Sequence, residues 1–122
     1  MARVIELRRN REVTAWKWMR YSGLLLIPLA WGHVLIQDVL VGVDRIDLDY
    51  VSMRWAYLGW RIYDFFLLVL ALAHGINGLR QVILDFASKK KNIRLVNQAA
   101  FAYWLVMMLL GVTALVGGVR QP

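Results

Sequence analysis

Two histidines and one carboxylate stand out by position. His74 lies in the segment Ala71-Leu72-Ala73-His74-Gly75-Ile76-Asn77-Gly78-Leu79-Arg80-Gln81-Val82-Ile83-Leu84-Asp85-Phe86, inside a stretch from Phe65 to Leu79 without formal charge. On a helix turning about 100° per residue, Gly78 falls near His74, Gln81 and Asp85 fall within about 20° of it, and Ala71 and Gly75 flank the same side. One face therefore offers an imidazole among small residues, with a carboxylate about 16 Å further along the axis. A flat macrocycle suits such a face: the imidazole ligates its iron, and the missing side chains let the ring approach the backbone. A haem with His74 as axial ligand is one reading. The other is packing, because small residues at this spacing let helices approach closely, and His74 then only hydrogen-bonds a neighbouring helix. Spacing alone leaves both open.

A second set lies upstream. Arg20-Tyr21-Ser22-Gly23 opens an uncharged run that carries His33 about 18 Å deeper if helical. In antiparallel helices His33 and His74 fall at similar depth and could ligate one iron; His33 could equally bind a second haem, or hydrogen-bond Gln37 or a partner. Arg20, Gln81 and Asp85 are expected at the inner interface, where they could hold an amphipathic headgroup. The plainer account is snorkelling by Arg20 and solvation of a helix end by Asp85.

The elements that position these residues follow from composition. The chain has 122 residues, 60% of them hydrophobic, with six Trp and no Cys. A soluble domain this short could not bury so much apolar surface. Disulfide scaffolds and thiolate-held zinc or iron–sulfur centres are excluded for want of thiols. The net charge of +7 could suggest nucleic acid, but the bases do not form one groove-facing patch. Residues 1–20 hold six bases and two acids, residues 38–64 three bases and five acids, and residues 80–94 five bases and one acid. Between these blocks, Tyr21–Gln37, Phe65–Leu79 and Leu95–Val119 carry no formal charge.

A hydrocarbon core about 30 Å thick takes roughly 20 helical residues, and lipid forces each span to be helical. The expected fold is therefore all-α and integral to the membrane. Its three transmembrane helices cover about 20–43, 58–87 and 97–119, after an N-terminal arm (1–19) and before a short tail (120–122). A cleaved signal peptide is not expected, since the first helix starts late and carries Pro28, His33 and Gln37. Basic blocks at the N-terminus and in the second loop put both in the cytoplasm and the C-terminus outside. Trp16, Trp18 and Tyr21, and then Trp55, Tyr57 and Trp60, are placed as interfacial belts. No segment is long enough for a soluble catalytic domain, so the chain is expected to work within a complex.

These residues resemble a known family. Arg20-Tyr21-Ser22-Gly23, the span with His33, and His74-Gly-x-x-Gly78-x-Arg80-x-x-x-x-Asp85-Phe86 are similar to the membrane-anchor subunits of succinate dehydrogenase and fumarate reductase, respiratory complex II. Arg45-Ile46-Asp47-Leu48-Asp49-Tyr50-Val51 with Arg54-Trp55-Ala56 looks like the D-type small anchor, and the likeness runs from about 16 to 96. The resemblance implies half of a two-anchor helix bundle in the inner (plasma) membrane, beside a C-type sister anchor, an iron–sulfur subunit and a flavoprotein. It implies haem b, with His74 as axial ligand and the second ligand from the sister anchor. Gly75, Gly78, Arg20, Ser22 and His33 complete the expected cofactor-binding set. A quinone would be reduced at a shared site near Asp85 and Gln81. Phe86 stands where D-type anchors often have a hydrogen-bonding Tyr, so it could line the pocket but not donate to the quinone. The basic loop and arm suit docking to a soluble subunit and to anionic lipid headgroups. Alone, the chain would catalyse nothing. The competing readings are a non-redox scaffold or assembly subunit of another respiratory complex, and a small transporter. The transporter ranks last, because the body of the third helix offers only Tyr103, Trp104 and Thr113 as polar groups.

Overall fold

The computed structural model describes residues 11–87 and 89–119. The expected arm up to residue 10 and the tail 120–122 lie outside these residues. The described residues form helices and short connections, with no strand among them. Helix α1 spans Arg11–Val34 and runs on through a π-helical segment, Leu35–Gly42; a 3-10 turn, Val43–Arg45, follows. Helix α2 spans Leu48–Ala56, α3 Leu58–Asp85 and α4 Lys90–Gly117. Three of these are long and apolar enough to cross a bilayer.

Local chemistry accounts for the breaks. Pro28 sits inside α1; it removes one backbone donor, a loss that membrane helices tolerate. The long first helix ends at Gly42, whose φ of +94° favours glycine. Asp47 then caps α2, its Oδ1 accepting from the Tyr50 amide at 2.7 Å. Tyr57 adopts an extended backbone between α2 and α3, which turns the chain back across the membrane.

Helices α1 and α3 pack antiparallel. Glu12 meets Arg80, Ala15 meets Asn77, Met19 meets His74 and Leu29 meets Tyr63. Each step along α1 is thus matched by a similar step back along α3. Helix α4 packs on the other side of α3, where Gly111 admits the Leu68 side chain: an added Cβ there would lie 2.5 Å from Leu68 Cδ2.

Little of the chain is buried within itself. Leu115 is the sole buried hydrophobic residue among those described, while Trp18, Trp31, Leu40 and Phe86 stand well exposed. In water such a surface would drive aggregation; in a bilayer it faces lipid or neighbouring helices. The tertiary structure therefore rests on close helix contacts and on polar links between helices, as expected where lipid removes the hydrophobic drive for helix association.

The boundaries differ from the charge-free runs. Helix α1 begins by Arg11 and α4 at Lys90, each several residues before the charges end. Charged residues are good helix formers, so the helices project beyond the apolar stretch. Helix α2 was unexpected: it occupies the acidic connection that sequence reading treats as a loop.

Candidate functional site

The His74 imidazole makes a polar contact between α1 and α3. Its Nδ1 lies 2.9 Å from the Met19 carbonyl oxygen. A carbonyl only accepts, so Nδ1 carries the proton and donates it. In the neutral ring this leaves the lone pair on Nε2. Among the described residues Nε2 has no hydrogen-bond partner, and it is not fully buried. The ring packs against Gly23. A Cβ at position 23 would come 2.8 Å from His74 Cε1 and 3.2 Å from Nδ1. Glycine there is what lets the imidazole lie between the helices.

The small residues around His74 divide between two tasks. Gly78 turns toward α1, where an added Cβ would lie 3.8 Å from Met19 Sδ. Gly75 is exposed, with nothing within 4 Å of the Cβ position, so space for an external group exists beside His74. Packing and openness, which spacing leaves as alternatives, occur together on neighbouring residues.

Ser22 is the most buried of the described residues, at 2% exposure. Its hydroxyl donates to the Met19 carbonyl at 2.9 Å and lies 3.5 Å from His74 Nδ1. It reaches the imidazole rather than open surface. Arg20 is exposed, with its guanidinium stacked 4.7 Å from the Trp16 ring centroid. Adjacent to Met19, it lies at the depth of His74. Asp85 is about 16 Å further toward the C-terminal end of α3. Arg20 is therefore not gathered with Gln81 and Asp85, contrary to expectation. Gln81 is half-buried, while Asp85 and Phe86 are exposed on the last turn of α3 and just beyond it.

His33 also differs from expectation. It borders a cavity of about 330 Å³ with Trp55, Asp64, Leu67, Leu68, Ala71, Gly111, Ala114 and Leu115. His74 pairs with Met19, and His33 is about 20 Å further along α1 at 1.5 Å per residue. The two imidazoles occupy opposite halves of the bundle and cannot share one iron. The equal-depth reading fails because α1 begins well before residue 20, which slides it along α3. The expected Gln37 partner is engaged elsewhere.

Sequence reading missed two clasps. At the end of the bundle where α2 meets α3, Arg54 pairs with Asp64 through two bonds of 2.9 and 3.1 Å, with side-chain exposures of 7% and 12%. Trp55 Nε1 donates to the same carboxylate at 2.8 Å, Arg54 stacks on Trp60, and Arg61 donates to the Trp55 carbonyl. Gln37 joins them: with its amide oriented to suit its neighbours, it donates to Tyr50 Oη and accepts from Arg54. At the opposite end, Arg80 donates to Glu12 of α1 at 2.7 and 3.0 Å, to Asn77 of α3 at 3.0 Å and to Asn97 of α4 at 2.7 Å. One guanidinium thus ties three helices. Asn77 and Asn97, polar residues at the edges of apolar runs, were the available signal for it.

Fold and site together define a small multi-pass membrane protein whose helices are joined by a few polar clasps, with His74 Nε2 left without a hydrogen-bond partner among the described residues. Over residues 4–115 the chain matches the succinate dehydrogenase/fumarate reductase transmembrane subunit family, and it belongs to that family. No curated protein matches it.

Proposed function

We propose that this chain is the D-type membrane anchor of a succinate:quinone oxidoreductase, that His74 Nε2 is an axial ligand of haem b, and that the inner end of α3 helps form the quinone-reduction site. The observation that carries the reading is the pinned tautomer. Metal-ligating histidines almost always donate their other ring N–H to a carbonyl or carboxylate, which orients the ring and raises its basicity. The Met19 carbonyl does this for His74. No cluster of three or more His, Cys, Asp or Glu exists among the described residues, so an iron at His74 suits a macrocycle that brings its own nitrogens. Open space at Gly75 lets such a flat group approach α3.

Haem b, when bound, supplies a one-electron centre close to the path of electrons arriving from an iron–sulfur subunit. This chain's residues do the rest. His74 would hold the iron through Nε2, and a sister anchor would supply a further ligand. Arg20 provides a cation at the depth of His74, suited to a carboxylate on the edge of the macrocycle. An uncompensated charge at that depth is costly, so an anionic partner for Arg20 is expected. Quinone reduction also consumes two protons. Asp85, exposed at the inner end of α3, stands where a carboxylate can pass protons from water or orient a water. Gln81 offers an amide one turn nearer His74, and Phe86 an apolar wall without a donor.

The bases on the inner ends of α1 and α4, including Lys17, Lys91 and Arg94, favour a cytoplasmic N-terminus and second loop, an outward C-terminus and placement in the plasma membrane. They also suit docking of the iron–sulfur and flavoprotein subunits. The test is haem content. Replacing His74 by Ala should abolish the haem b absorbance of the purified complex, while the flavoprotein still oxidises succinate with a soluble artificial acceptor. A full haem complement in His74→Ala would contradict the assignment.

A further inference from the structure

The most buried described side chain touches the imidazole of His74, whose second nitrogen has no hydrogen-bond partner among the described residues. Ser22 Oγ donates to the Met19 carbonyl at 2.9 Å, and His74 Nδ1 donates to the same oxygen at 2.9 Å. Inside a helix that carbonyl also faces the amide four residues on, here Gly23. A carbonyl oxygen has two lone pairs, so three donors compete for two sites. Ser22 and His74 therefore divide what the helix bond leaves. The two donors are themselves 3.5 Å apart, too far for a strong bond between them.

We propose that the Ser22 hydroxyl is a positioning residue that weakens the hydrogen bond at His74 Nδ1 by sharing the Met19 carbonyl, and so raises the reduction potential of an iron held at Nε2. This rests on the assignment of His74 as a haem ligand. The direction follows from electron donation. A stronger bond at Nδ1 gives the ring more imidazolate character, which stabilises ferric iron over ferrous and lowers the potential; hydrogen bonding around the ligands is an established lever on haem potentials. A hydroxyl that draws on the same oxygen acts in the opposite sense. Packing alone does not require the hydroxyl, because alanine would fill nearly the same space. Met19, contributing through its backbone, cannot be altered by substitution, so Ser22 is where side-chain identity can set this bond.

The experiment uses the intact complex in detergent or nanodiscs. Haem stoichiometry, the haem midpoint potential and the ferric low-spin EPR spectrum are compared for wild type, Ser22→Ala and Ser22→Thr. Ser22→Ala should keep the haem and shift its midpoint to more negative values, by up to about the 59 mV of a tenfold change in a one-electron equilibrium, with an altered EPR spectrum. Ser22→Thr, which retains the hydroxyl, should stay near the wild-type potential. Haem lost from Ser22→Ala would contradict the proposal, because a stronger bond at Nδ1 should hold the ligand more firmly. An unchanged potential and spectrum in Ser22→Ala, an upward shift, or loss of haem from both variants would overturn the proposal. Haem retained in full by His74→Ala would instead overturn the ligand assignment beneath it, so the two failures are distinct.

Discussion

At the scale of single residues, Gly23 and His74 form one unit split across two helices. The imidazole lies where a side chain at position 23 would be, with His74 Cε1 only 2.8 Å from that Cβ position. The ring is the mobile end of a side chain, so an added methyl should displace it at modest cost in stability and break its bond to Met19. Gly23→Ala is therefore expected to insert and assemble while weakening haem retention. Loss of a ligand's supporting hydrogen bond typically costs about 10–100-fold in metal affinity. Haem-to-flavin ratios through a detergent wash should read that loss directly, and a ratio equal to wild type would show that the ring tolerates the methyl. His74 itself was legible in the sequence, because an imidazole among small residues in an uncharged run has few uses. Its supports were not. A backbone carbonyl carries no sequence signal, and Gly23 gains meaning only once α1 and α3 are in register.

At the scale of elements, the Arg54–Asp64 clasp decides how α2 and α3 meet. Asp64 accepts from Arg54 twice and from Trp55 once, and both partners of the ion pair are nearly inaccessible. Removing one partner of a buried pair leaves a stranded charge, at a cost of about 3–5 kcal/mol. Asp64→Ala should therefore lower the thermal stability of the assembled complex and loosen α2. The double replacement Asp64→Leu with Arg54→Met should recover much of the loss, as apolar substitutes for buried pairs often do. Thermal unfolding of both variants checks this, and a single variant as stable as wild type would contradict it. The sequence reading put Arg54 and Asp64 in an acidic loop and a span edge, and Trp55 and Trp60 in a lipid belt. Residue type was a fair guide to depth but not to partner. The π-helical turns that carry Gln37 toward Tyr50 are a change of hydrogen-bond register, to which side-chain pattern is nearly blind. The same limit explains the histidine depths: charge-free runs locate lipid, but not where a helix begins in the water on either side.

At the scale of the whole molecule, the chain is three long helices with almost no core of its own. Its apolar surface is arranged for lipid and for other subunits, consistent with membership of a family of membrane subunits of a larger enzyme. The charge blocks predict orientation. Because the chain has no cysteine, single introduced thiols report sidedness cleanly. In spheroplasts, Asp44→Cys on the outer connection should react with an impermeant maleimide. Lys89→Cys in the second loop should react only after the membrane is opened. The reverse pattern would invert the topology and move the proposed quinone site to the wrong side for electrons from a cytoplasmic iron–sulfur partner. Sequence alone carried the architecture this far because bilayer thickness and charge cost are strong constraints. A proposed sister subunit would leave no such trace in this chain beyond the unpartnered Nε2 of His74.

That nitrogen is the most direct point of test. A cryo-EM structure of the intact complex, at a resolution that defines the imidazole plane, should find His74 Nε2 coordinated to a haem iron, with Nδ1 still donating to the Met19 carbonyl and the opposite ligand coming from another subunit. An Nε2 facing acyl chains or hydrogen-bonded to protein, with no porphyrin within bonding distance, would contradict the account.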